Sequence, residues 1–206
     1  HFSTYIFFNV GVAIIIMLIW FNGKIIDEKE FYISPLSHTL HYGTAAFEGI
    51  RAYKIRKNIS GVFRLNDHAK RLVYSSKILI GKKVIEEKEV EKAVIETLKA
   101  NKMLEAYIRP LFFLAGGSSL GLSNLEKNNP SLLVAVIDFP PFLGKRKLIK
   151  VKISSYRKIP SFCQPSNAKI SANYFNSVLA TKEAKEACYD EALLLNIDGR
   201  IAEGAG

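Results

Sequence analysis

Two stretches of this chain combine reactive side chains with neighbours small enough to let a ligand come close. In Pro165-Ser166-Asn167-Ala168-Lys169-Ile170-Ser171-Ala172-Asn173-Tyr174 a lysine stands among small and turn-forming residues, just ahead of a helical pattern. Small neighbours allow a bulky planar group to approach the backbone, and a desolvated lysine can lose its proton and form an imine with a carbonyl. Tyr174 can then donate to, or accept from, an oxygen of the same ligand. The plainer alternative is one more lysine in a lysine-rich chain. Glu203 follows an apolar run and precedes Gly204-Ala205-Gly206. A carboxylate at a strand end can face a cleft and hold a heteroaromatic nitrogen protonated, which turns a ring into an electron sink. A solvent-facing acid is the alternative there.

Three further segments carry chemistry in weaker form. Arg71 lies in a helical pattern with His68 one turn earlier. Its planar guanidinium suits a phosphate, although an exposed helix arginine is the commoner arrangement, and His68 is given no role. Tyr107 and Arg109 alternate on a strand and so share a face, which suits a substrate carboxylate as well as it suits a structural pair. Pro110 then argues for a strand near an edge or a cleft. Gly116-Gly117-Ser118-Ser119-Leu120-Gly121 is glycine-rich, but such a loop is more often a turn than a phosphate cradle. His41-Tyr42-Gly43-Thr44-Ala45-Ala46-Phe47-Glu48-Gly49-Ile50-Arg51 mixes aromatics, glycines and charge in a way that is unusual for a plain core strand.

The elements that must position these residues alternate irregularly. Residues 49–55 and 61–65 are apolar runs around the turn-like Arg56-Lys57-Asn58-Ile59-Ser60, a hairpin pattern. Asn66 or Asp67 is expected to cap a helix running to about Leu79, with Leu72, Val73 and Ile78 near helical spacing. A second helix is expected over 86–102, with Val90, Val94 and Leu98 on one face and Glu–Lys pairs opposite. Residues 107–115, 132–138 and 148–155 read as strands, 173–188 as a helix, and 192–197 with 200–202 as a hairpin through Asp198-Gly199. Phe139-Pro140-Pro141-Phe142-Leu143-Gly144 is the expected domain boundary. The order implies an α+β fold in two pieces.

Composition narrows the classes. The 206 residues carry 29 Lys plus Arg against 19 Asp plus Glu, a net charge of +10, with 49% hydrophobic and 23% charged residues: a globular mixture. The basic residues are spread, with no run longer than Lys145-Arg146-Lys147, so a nucleic-acid partner is not expected. Cys163 and Cys188 form neither a disulfide framework nor a C-x-x-C pair, so no metal is expected and a reducing compartment fits. The first 23 residues contain no charged side chain and are long enough to span a bilayer. They lack the pattern of a secretory signal, and Ile19-Trp20-Phe21-Asn22-Gly23 reads as a strand into a turn. Residues 1–17 are therefore read as an extension upstream of the true start, a membrane anchor being the alternative. The turn at 203–206 reads as a truncation.

His41-Tyr42-Gly43-Thr44 leading to Phe47-Glu48-Gly49-Ile50-Arg51, then Tyr107-Ile108-Arg109-Pro110-Leu111, then Ala168-Lys169 with Asn173-Tyr174, then Ile201-Ala202-Glu203-Gly204-Ala205-Gly206, occur in that order. The series resembles the branched-chain amino-acid aminotransferases, class IV enzymes of fold type IV that use pyridoxal 5′-phosphate. The resemblance runs from about Trp20 to the last residue.

It implies a small N-terminal α+β domain over 18–138, an interdomain loop over 139–147, and over 148–206 the start of a larger cofactor-binding domain, incomplete here. It implies Lys169 as the catalytic lysine that binds the cofactor, with Arg71 on its phosphate, Tyr174 on its phenolic oxygen and Glu203 on its ring nitrogen. Tyr42, Phe47, Tyr107 and Arg109 match positions that shape the substrate pocket. The implied activity, a step of amino-acid biosynthesis, is reversible ping-pong amino transfer between L-leucine, L-isoleucine or L-valine and 2-oxoglutarate, in a cytoplasmic homodimer or higher homo-oligomer. The rival readings are a D-amino-acid aminotransferase, an aminodeoxychorismate lyase, or a non-catalytic membrane-anchored fragment. Because the family continues well past Gly206, the truncated chain is expected to bind cofactor poorly.

Overall fold

The computed structural model describes residues 17–116, 120–123, 125–138 and 148–206. The proposed boundary at 139–144, the run at 1–16 and most of the glycine-rich loop at 117–119 lie outside the described residues.

The chain enters a seven-stranded sheet at β1 (Leu18–Phe21), and Asn22 and Gly23, with φ of 44° and 94°, turn it into β2 (Lys24–Asp27). Two consecutive left-handed residues match the twist of a tight hairpin, which is why Asn-Gly stands there. Trp20 is 2% exposed, so the end of the charge-free run is a buried strand rather than part of a membrane span. Among the described residues no helix is long and apolar enough to cross a membrane. A short α1 (His38–Tyr42) leads to β3 (Ala45–Phe47), then β4 (Ile50–Arg56) and β5 (Ile59–Val62) form the expected hairpin. Two helices follow, α2 (Leu65–Ile80) and α3 (Glu87–Ala100), then β6 (Ala106–Leu114) and β7 (Pro130–Ile137). The sheet order is β2-β1-β7-β6-β4-β5, with β3 also on β6.

Helices α2 and α3 cover one face of this sheet through Leu72, Val73, Val90, Val94 and Leu98, packed on Trp20, Ile50, Ile108 and Phe112. The α3 stripe and its Lys88–Glu91 pair match the expected pattern. Helix α2 departs from its own. Arg64, in the left-handed region and with no side-chain cap, precedes a helix that starts at Leu65, so neither Asn66 nor Asp67 caps it. Asn66 instead reaches Glu91 at 2.7 Å and ties the two helices together. Ile78 is 41% exposed, whereas Ser75 and Ser76 are fully buried.

Of the two positions expected for the strand that carries Pro110, an edge or a cleft, the edge is overturned, because β6 lies between β7 and β3/β4. Phe47 pairs with Leu111 and Ile50 with Ile108, so β3 and β4 meet β6 in one register and break only at Glu48 and Gly49. Glu48 N donates to Pro110 O at 2.9 Å, but proline has no N–H to return the bond. The missing donor ends the ladder there.

The second sheet has the order β10-β9-β8, built from β8 (Val151–Arg157), α4 (Tyr174–Glu186), β9 (Glu191–Leu195) and β10 (Ile201–Gly204). Strands β8 and β9 are parallel, and α4 is the crossover that parallel pairing requires. Ala180 and Ala184 let α4 settle closely on Ala192 and Leu194. Glu183 completes that docking: the Ser154 hydroxyl donates to it at 2.5 Å and the Ser155 N–H at 3.0 Å. These bonds, the serine hydroxyl's first, draw the Glu183 carboxyl from its ordinary 4.5 down to about 2. A lowered folded-state value stabilises the fold above the ordinary carboxylate range, and the contribution is lost as pH falls from about 4.5 towards 2. Glu183→Gln is therefore expected to lower the urea midpoint at pH 7, and the gap to the parent should close as pH is brought down towards 3. A gap independent of pH would show that the charge plays no part.

Candidate active site

Lys169 is placed by its backbone before its side chain. Its N–H donates to Ser75 Oγ at 2.9 Å, and its carbonyl accepts from Phe47 N at 3.1 Å. Ala46 and Ile170 form an antiparallel bridge, so the lysine runs like a further strand beside β3. The preceding loop is tied to α2 again where Asn167 Nδ2 donates to Tyr74 OH at 2.7 Å.

From this position the Lys169 amine donates to the hydroxyl of Tyr174, the first residue of α4. The same amine lies 4.8 Å from the ring centres of both Phe47 and Tyr174, which are themselves 4.8 Å apart. Two cavities meet there. A polar one of about 250 Å³ is lined by Arg71, Lys158, Ser166, Asn167, Ser177 and Glu203 together with Lys169 and Tyr174. An aromatic one of about 560 Å³ is lined by Phe47, Tyr107, Arg109 and Leu111 with the same lysine and tyrosine.

In the aromatic cavity Tyr107 and Arg109 do share a face, and Arg109 Nη2 donates to Tyr107 OH at 2.6 Å. The guanidinium also sits 4.4 Å above the Phe47 ring. Arg109 Nε is buried with no hydrogen-bond partner among the described residues, a donor that an incoming acceptor would satisfy. Gly49 makes room for this arrangement. A Cβ there would run into the Tyr107 hydroxyl, with the ring carbon Cζ only 3.2 Å away.

In the polar cavity Arg71 is 48% exposed along its side chain, yet it is not an unattached arginine. Nε and Nη2 fork onto the fully buried Glu48 carboxylate, each at 2.6 Å, and the Nδ1 of His68 donates to it at 2.8 Å. The hydrogen bond to Glu48, more than their opposite charges, holds the Arg71 guanidinium above its ordinary pKa against the opposing effect of burial. Glu203 faces this cavity from β10, and its Oε1 pairs with Lys158 Nζ at 2.5 Å.

Seven of the eight residues singled out from the sequence thus line one or other cavity. Tyr42 does not. Its hydroxyl donates to the Leu120 carbonyl at 2.9 Å, its ring lies 4.5 Å from that of His38, and it is 41% exposed. The residues that sequence reasoning passed over are Glu48, His68, Ser75 and Lys158. Only the first two left a trace: an acid between an aromatic and a glycine in an apolar run, and a histidine three residues before Arg71 on one helix face. The serine and Lys158 have no signature at all, since their partners are distant in sequence.

Residues 45–206 match the family model of amino-transferase class IV. The chain is 38% identical over 190 residues to the putative branched-chain-amino-acid aminotransferase of Methanocaldococcus jannaschii, covering 92% of this chain and 63% of that one. Among solved structures it resembles the branched-chain aminotransferase of Thermoproteus uzoniensis with norvaline, with a TM-score of 0.84 and 39% identity over 93% of this chain and 63% of that one. It likewise resembles the branched-chain amino acid aminotransferase of Thermobaculum terrenum in its PLP-form, with a TM-score of 0.81 and 31% identity over 93% of this chain and 62% of that one. The chain therefore spans less than two thirds of the length of each of these proteins. With the family model covering most of its length and the fold shared with solved members, the chain belongs to the class IV aminotransferases.

Proposed function

We propose that this chain carries the catalytic lysine and much of the substrate pocket of a branched-chain amino-acid transaminase that uses pyridoxal 5′-phosphate. The observation that carries the reading is the Lys169–Tyr174 pair at the meeting point of a polar and an aromatic cavity. The donor set fits that cofactor. An amine and a hydroxyl suit its carbonyl and ring oxygen, Glu203 Oε2 is left over for a ring nitrogen, and Arg71 Nη1 takes no part in the Glu48 fork and can serve a phosphate. When bound, pyridoxal 5′-phosphate supplies an electron sink for the pair left behind as the substrate Cα loses its proton.

The chain's own residues do the rest. Lys169 Nζ moves the proton at the substrate Cα, and the Tyr174 hydroxyl holds that amine in line. Arg109, with its unpartnered Nε and its bond to Tyr107, binds the α-carboxylate. Phe47 and Leu111 exclude water and pack on an aliphatic side chain. One methylene is worth only about 1–3 kcal/mol in such a pocket, so leucine, isoleucine and valine should all be accepted, with 2-oxoglutarate as amino acceptor. The relatives' names, which specify branched-chain substrates, support this choice within the class. We further propose a homo-oligomer, at least a dimer, in the cytoplasm, a setting in which the two free, exposed cysteines stay reduced.

Borohydride reduction after addition of excess pyridoxal 5′-phosphate should leave a pyridoxyl mass on the Lys169 peptide, and Lys169→Ala should remove both label and amino transfer. A folded chain labelled elsewhere, or turnover retained without Lys169, would overturn the reading. Transfer from L-leucine but not from D-alanine, with no lysis of aminodeoxychorismate, separates it from the other class IV activities. Gly49→Ala should displace the Tyr107 ring and cost about tenfold in KM for L-leucine, as overpacking of about 1–3 kcal/mol implies. The Lys169 label should persist in that variant.

A further inference from the structure

We propose that Glu48, buried behind the polar cavity, is a positioning residue that aims Arg71 at the phosphate of the cofactor, an inference that rests on the reading of the site given above. Glu48 follows Phe47 at the break between β3 and β4, so strand alternation turns it away from the aromatic cavity and towards α2. Its backbone is held by the 2.9 Å bond to Pro110 O, and its side chain is fully buried. His68 and Arg71, three residues apart on one face of α2, deliver the hydrogen bonds that the carboxylate accepts among the described residues.

The geometry divides the guanidinium into two edges. Nε and Nη2 are spent on Glu48, one bond to each carboxylate oxygen, so the plane of the group is set. Nη1 stays outside the fork, on a side chain that lines the cavity beside Ser166, Asn167 and Ser177. A half-exposed arginine without such an anchor would sample many rotamers, and an anion would have to order it on binding. Glu48 does that ordering in advance, and His68 keeps Glu48 itself from turning. Placing a negative charge behind a phosphate site is unfavourable by Coulomb's law alone, so the two possible roles of Glu48 give effects of opposite sign.

The test compares the affinities of pyridoxal 5′-phosphate and pyridoxal, read by absorbance titration, for the parent, Glu48→Gln and His68→Gln. Glutamine keeps the shape but replaces one acceptor by an NH₂ that faces the same donors. Glu48→Gln should weaken pyridoxal 5′-phosphate by about tenfold, the value of a charge-assisted fork, and leave pyridoxal unchanged. In an Arg71→Gln background the same change should have no further effect, because Glu48 acts through Arg71. His68→Gln, a change at a partly exposed position, should give a smaller loss confined to the phosphate ester. It decides the matter if Glu48→Gln does not fold. An equal loss for both ligands would mark a merely structural residue and overturn the proposal, as would unchanged or tighter binding of the phosphate ester. A parent that takes up neither ligand would instead overturn the cofactor assignment, a result distinct from a parent that prefers the phosphate ester and variants that prefer it equally.

Discussion

The site depends on how the backbone of Lys169 is held. The segment 158–170 has no helix or strand of its own, and ordering such a stretch costs about 1–2 kcal/mol per residue in backbone entropy. Its last residues are nonetheless fixed on two sides by distant parts of the chain: Ser75 on α2 takes the lysine N–H, and Phe47 on β3 supplies the N–H for its carbonyl. Because Lys169 lies alongside β3 as an extra strand would, the two-residue period determines which way its side chain goes. It goes with Phe47, to the face opposite α2. There the amine meets Tyr174, whose place is set independently by the docking of α4 on β8 and β9.

A single missing hydrogen-bond donor arranges the opposite wall. Pro110 in a central strand forfeits one ladder bond, worth about 0.5–1.5 kcal/mol net. It does so opposite Glu48, at the only point where β3 and β4 part. The register survives on both sides, so three consecutive residues acquire three separate duties. Phe47 packs between Lys169, Arg109 and Tyr174; Glu48 anchors Arg71 and His68; Gly49 leaves space for the Tyr107 hydroxyl. The three bonds from Arg71 and His68 keep the buried Glu48 carboxylate from being left unpaired, which for a buried charge costs far more than one ladder bond.

Features whose cause is local were legible in the sequence. The Asn22-Gly23 and Asp198-Gly199 turns, the Val90–Val94–Leu98 stripe and the shared face of Tyr107 and Arg109 all follow from spacing and residue type. Where a partner distant in sequence decides, local rules failed. Ser75 and Ser76 drew no attention as sequence and are buried, one beneath the lysine loop and one bonded to Val73 O. Asn66 read as a cap and is a bridge between helices. Pro110 read as a sign of an edge or a cleft, and the edge half failed because the rule assumes a donor wanted on both sides of a central strand, a need that the gap at Glu48 removes. Tyr42 was marked by the company it keeps in the sequence, yet its hydroxyl is directed to the Leu120 carbonyl.

The distribution of charge separates the two cavities more sharply than their lining does. In the polar cavity two of the three basic side chains already have their own carboxylates, Arg71 with Glu48 and Lys158 with Glu203, while Lys169 has the Tyr174 hydroxyl. An anion entering there can be recognised by the direction of hydrogen bonds as well as by charge, with Arg71 Nη1 outside its fork and Ser166 and Ser177 in the lining. In the aromatic cavity Arg109 has ring faces and a neutral hydroxyl for company, and a buried Nε with nothing to donate to among the described residues. Cation–π contacts of about 0.5–1 kcal/mol do not replace a carboxylate. Arg109, on β6 with β3 between it and the lysine segment, is thus the charged group of the aromatic cavity that has no carboxylate partner among the described residues.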